Sequence, residues 1–137
     1  MLALVVIGTL ATLASSSYSS YMEKARVTAA ESDLSRIEAR IETFEVTNNQ
    51  LPSSLAQIGV AALLDPWGHP YRYLDFAGLQ GKANMRKDRN LVPINSDYDL
   101  YSIGADGATL PPLTAPPSHD DVIRANNGGF IGLATDY

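Results

Sequence analysis

The first fourteen residues, MLALVVIGTLATLA, carry no charge, and no proline or glycine interrupts the chain from Thr9 to Asn49. A helix over the opening run spans roughly 21 Å at 1.5 Å per residue. A bilayer core requires about 20 apolar residues. The run is therefore too short to cross a membrane and too apolar to face water. No lysine or arginine precedes Leu2, and the helical pattern continues beyond the run, so it does not read as a secretory signal. The expectation is an apolar segment that continues upstream of Met1 and has been cut.

Beyond Ala14, Val27, Ala30, Leu34, Ile37, Ile41 and Phe44 recur at three- and four-residue steps, which is the stripe of an amphipathic helix. Glu31, Asp33, Arg36, Glu38, Arg40 and Glu42 fall between them and read as a solvated face. The pattern predicts one helix from Met1 to about Thr47, stopped by the Asn48-Asn49 pair and Pro52. Such a helix is roughly 70 Å long, about twice the width of a compact domain of this size. It must protrude, and its bare apolar end needs lipid or other copies of the chain.

Most of the eight prolines and ten glycines fall after residue 50, so the second half is loop-rich. A short helical turn is expected near Ser53, and DPWGHP is turn chemistry with Pro66 preset for the bend. Tyr71 to Phe76 and Tyr98 to Ile103 alternate and are rich in β-formers, so both are predicted strands. In the second, Tyr98, Leu100 and Ser102 share one face, and Asp97, Asp99, Tyr101 and Ile103 the other. The insertion between the strands holds Lys82, Arg86, Lys87 and Arg89 and reads as a solvated loop, or as a contact for an acidic neighbour. VIRANNGGFIGLATDY is a glycine-broken tail with one short strand expected at Phe130 to Leu133. The architecture is α+β: a long N-terminal α-helix with a protruding apolar half, packed on a small antiparallel β-sheet, with a loop-rich C-terminus. Residues 1–24 form the apolar segment and residues 25–137 the globular domain.

A net charge of −5 argues against nucleic acid as a partner. The absence of cysteine removes disulfides and thiolate metal sites. Ser118-His119-Asp120 imitates a catalytic triad only on paper, because triad members are assembled by the fold and not by adjacency. His69 and His119 read as exposed loop residues, and the chain is read as a non-enzyme. Tyr18 and Tyr21 sit where an apolar helix meets polar surroundings, the other tyrosines pair across strands, and Trp67 packs on the sheet edge.

The segments SYSSYMEKAR, DPWGHPYRYL and YDLYSIGADG, followed by an acidic pair, resemble the type IV pilin-like family, and within it the major pseudopilin of type II secretion and the pilins that share its C-terminal module. The resemblance covers nearly the whole chain. It implies a structural subunit of a helical homo-oligomeric filament, held in the bacterial inner membrane before assembly and found afterwards in the periplasm or on the cell surface. It implies a prepilin peptidase and an assembly machinery as partners, methylation of the mature N-terminus, and a Met1 some six residues inside the mature chain. Filament-core packing falls to Leu2, Leu4, Val5, Val6, Ile7, Leu10 and Leu13. A membrane-anchored binding domain that never polymerises is the alternative.

Ser102, Asp106, Asp120 and Asp121 offer hard oxygen ligands, and Gly104 and Gly107 allow the backbone to turn carbonyls inward. Such a set suits calcium better than zinc or copper. The plainer alternative is that Asp106 caps the ADG turn while Asp120 and Asp121 open a short helix. The resemblance implies calcium, with carboxylates from Asp106, Asp120 and Asp121, Ser102, and main-chain carbonyls near Leu100 and Val122 completing the shell.

Overall fold

The computed structural model describes residues 2–137; the side chains of residues 2–4, 13 and 14 lie outside the described set. The leading element is a single helix, α1 (Leu2–Asn48). It ends where the asparagine pair predicts: Asn49 takes a left-handed φ of 53°, its N–H donates to the Glu45 carbonyl, and the Asn48 amide donates to that of Phe44. Asparagine tolerates this conformation better than most residues.

Four short strands follow: β1 (Arg72–Asp75), β2 (Tyr98–Ser102), β3 (Val122–Ala125) and β4 (Phe130–Leu133). They form one antiparallel sheet in sequence order. Two predicted strands are shorter than expected, by one residue at each end for the first and by Ile103 for the second, and the last coincides with its prediction. β3 is the element that sequence reading missed. Val122, Ile123, Arg124 and Ala125 are all buried, so the strand has no wet face and no alternation to reveal it. Asp120 and Asp121 lead into this strand, not into a helix.

The helix lies against β2, β3 and β4. Ala30, Leu34, Ile37 and Ile41, spaced four, three and four apart, are fully buried against Tyr71, Tyr98, Leu100 and Val122. Each large member of that row contributes about 2 kcal/mol by leaving water. The helix face read as solvated is partly engaged: Asp33 accepts the Tyr71 hydroxyl at 2.9 Å and Glu38 pairs with Arg124.

The opposite face of the sheet has its own core, which the sequence pattern did not announce. Ile94, Leu113, Ile123, Ala125 and Ala134 are buried there, with Tyr101, Phe130 and Tyr137 packed on them. The cover is made by the insertion and the proline-rich segment, joined by bonds from Lys87 N to the Pro111 carbonyl (3.0 Å) and from Leu113 N to the Lys87 carbonyl (2.9 Å). The insertion is therefore not a solvated loop throughout: Arg86 is buried.

Candidate functional site

The first candidate surface is the free half of α1. Val5, Val6, Ile7 and Leu10 are between 51% and 67% exposed. Leu2, Leu4 and Leu13, assigned with them to filament-core packing, lie outside the described side chains. Three hydroxyls of this stretch turn inward: Thr9 Oγ1 donates to the Val6 carbonyl (2.9 Å), Thr12 Oγ1 to that of Thr9 (2.8 Å), and Ser19 Oγ to that of Ser16 (3.0 Å). A hydroxyl satisfied by its own helix asks nothing of the surroundings, so these three can enter an apolar environment without stranding a donor. Among the described residues no helix is long and apolar enough to cross a membrane.

Besides the Asp33–Tyr71 bond, Arg124 and Trp67 fasten the globular half to the helix. Arg124 projects from β3 with only 3% of its side chain exposed, donating from Nε to Glu38 Oε1 of α1 (2.6 Å) and from both terminal nitrogens to Asp97 (2.9 and 2.8 Å). Its guanidinium stacks 4.0 Å from the Tyr98 ring centroid. Trp67 donates from Nε1 to Glu23 Oε1 of α1 (3.0 Å) and packs on the core cluster between helix and sheet.

The DPWGHP turn is organised by buried Asp65. Its Oδ1 accepts from the backbone of Trp67 (3.1 Å) and His69 (2.8 Å), and its Oδ2 accepts the Ser102 hydroxyl at 2.5 Å. His69, expected to be exposed, is half-buried with Nδ1 3.1 Å from the Gly104 carbonyl. Its ring lies beneath Gly107, and a Cβ on Gly104 would collide with Asp120. Both glycines have positive φ, 65° and 68°. The SIGADG loop is therefore pinned from both sides, and only glycine fits those two positions.

The six residues implied as a calcium shell are placed as follows. Ser102 faces Asp65. Exposed Asp106 caps its own turn through the Ala108 N–H (2.8 Å), the plainer of the two expectations. Asp120 Oδ2 accepts from the Asp106 backbone (2.8 Å). Asp121 is fully buried and binds Arg86 Nη2 (2.5 Å) and Thr109 Oγ1 (2.6 Å). Leu100 and Val122 lie within strands β2 and β3. Among the described residues no three acidic or imidazole groups converge, and each of the three aspartates accepts hydrogen bonds from the protein itself. This arrangement does not fit a calcium shell centred on the three aspartates. Burial pushes the Asp121 carboxyl above the usual carboxylate range, with the bonds from Thr109 and Arg86 opposing it. Burial does the same to Asp99, which accepts from Arg86 N (2.6 Å) and Asn95 Nδ2 (3.0 Å).

A long helix left bare along its apolar half, with a small antiparallel sheet packed on the other half, defines a pilin-like subunit. Comparison with known proteins narrows the class. The chain is 30% identical to type II secretion system core protein G of Pseudomonas aeruginosa, over 78% of its own length and 79% of that relative. The chain belongs to that family, the major pseudopilins. No family model matches the chain, and no solved structure matches it significantly.

Proposed function

We propose that the chain is a structural subunit of a periplasmic pseudopilus, a helical filament in which the apolar halves of many α1 helices bundle and the globular halves coat the outside. The observation that carries this reading is the half-exposed row Val5, Val6, Ile7 and Leu10 on a helix continuous with the domain core. A surface of that kind is costly in water and is stabilised by about 25 cal/mol for each Å² that neighbours cover. Before assembly the same surface faces lipid at the inner membrane, and the secretion machinery draws the subunit from there. The similarity to a type II secretion core protein supports the periplasmic filament over a surface pilus.

The absence of cysteine makes this testable by cross-linking. Single-cysteine variants Val5→Cys, Val6→Cys, Ile7→Cys and Leu10→Cys, co-expressed in pairs with the secretion machinery so that unlike positions of neighbouring copies can meet, should give disulfide-linked dimers in at least one pairing, and sheared fibres that contain the chain. A protein that remains monomeric in the membrane under those conditions is a non-polymerising anchored domain, and the proposal fails.

A further inference from the structure

The most unusual feature outside the helix is a cation buried beneath the C-terminal loops. Arg86 comes from the polar insertion, yet only 2% of it is exposed. Its guanidinium donates to Asp121 Oδ2 (2.5 Å), Thr109 Oγ1 (2.5 Å) and the Leu110 carbonyl (2.9 Å). It also stacks 4.4 Å from the Tyr101 ring centroid. Its own backbone N–H donates to Asp99, and its carbonyl accepts from Ile94 N at 3.0 Å. One residue thus joins the insertion, β2, the segment at 109–110 and the entrance to β3.

We propose that Arg86 is the built-in cation of this module, holding Asp121 and the 104–121 loop in place with a guanidinium where the pilin-like resemblance implies a calcium ion. Four observations support it. Asp121 is fully buried, and a buried carboxylate requires a cation or several donors; Arg86 and Thr109 provide both. The remaining carboxylates of the implied shell are engaged elsewhere, Asp106 with its own turn and Asp120 with the Asp106 backbone. Two buried polar atoms without partners, Arg86 Nε and Asp121 Oδ1, belong to the same ion pair as donor and acceptor. A planar guanidinium favours bidentate pairing with a carboxylate, and these are the two atoms that a second bond of the pair would use. Finally, a divalent ion bound at Asp121 would lie against a fixed positive charge, and in a buried setting that repulsion is large. The loop is therefore held by the sequence itself and not by the calcium supply. This inference does not depend on whether the chain polymerises.

The test is thermal unfolding of the full chain in mild detergent, in excess chelator and in millimolar calcium chloride, together with calorimetric titration of calcium. The wild type should melt at the same temperature in both solutions and take up no calcium. Arg86→Met should lower the melting temperature by more than about 10 °C, because it strands a buried carboxylate. Adding Asp121→Asn to that variant should restore part of the loss, because the orphaned charge is then gone. Stoichiometric calcium uptake with a rise in melting temperature of the wild type would overturn the proposal. So would an Arg86→Met protein as stable as the wild type. If Arg86→Met does not fold, the wild-type titration and the double variant still decide.

Discussion

The two halves of α1 are the same secondary structure in two different solvents. Between Ala30 and Ile41 the apolar row is sealed against the sheet, and most of the residues between its members are charged. Between Val5 and Leu10 the apolar residues surround the helix and stay half or more exposed. The C-terminal half is shaped by its own domain: one stripe, with polar groups elsewhere that reach Tyr71 and Arg124. The first fourteen residues of the N-terminal half carry no charge, a pattern that suits a helix covered on every side. One helix thus carries two codes, and the change between them falls near Tyr18 and Tyr21, both well exposed.

The sharpest way to break this comparison is to place the same charge in each half. Leu34→Asp strands a carboxylate in the centre of the core, at a cost of several kcal/mol in a domain whose whole stability is of order 5–15 kcal/mol. It should abolish cooperative unfolding as followed by near-ultraviolet circular dichroism. A wild-type transition in that variant would mean that the helix is not part of the domain core. Leu34→Ala is milder and should cost about 2–5 kcal/mol in a urea titration, whereas Leu10→Ala in the detergent-dispersed monomer should cost nothing measurable.

Next in size is the polar seam between the halves of the fold. Arg124→Ala leaves Glu38 and Asp97 facing each other without their cation, and a loss of about 3 kcal/mol is expected. If unfolding shows less than a third of that, the seam is ornamental.

Alkaline pH gives a smaller effect. Burial pushes the Tyr71 and Tyr73 hydroxyls above their ordinary value of 10.0, aided for Tyr71 by its bond to Asp33. The folded state keeps those protons while the unfolded chain releases them, so stability is complete below about pH 10 and falls as pH rises above it. The urea midpoint should drop between about pH 8 and about pH 11, and Tyr73→Phe should reduce the drop. A midpoint independent of pH across that interval would contradict the burial of these rings. Smallest of all, Tyr98→Phe removes a buried hydroxyl that has no partner, and should be neutral or slightly stabilising.

What the sequence disclosed follows the same divide. The helix, its stop at the asparagine pair and the bare apolar half are local signals of period and punctuation, and all three are legible. β4 is legible because a glycine pair, Gly128 and Gly129, sets it off from what precedes. β3 is not, because a strand buried on both faces with an arginine in it matches no simple template. Arg124 and Arg86 were the hardest to see. Each looks like a surface charge in sequence, and each is buried only because acidic partners arrive from 13 to 86 residues away. The one available signal was indirect: Asp97 precedes a predicted strand and Asp99 lies within it, and carboxylates on a buried strand need donors.

The central claim, that α1 serves the domain with one half and the filament with the other, is tested most directly by Val6→Asp. The variant is expressed with the secretion machinery, its fibres are counted by electron microscopy, and its thermal unfolding is recorded in detergent. The account predicts that fibres disappear while the melting temperature matches that of the wild type. Fibres at wild-type abundance would contradict the claim, and so would an unfolded domain.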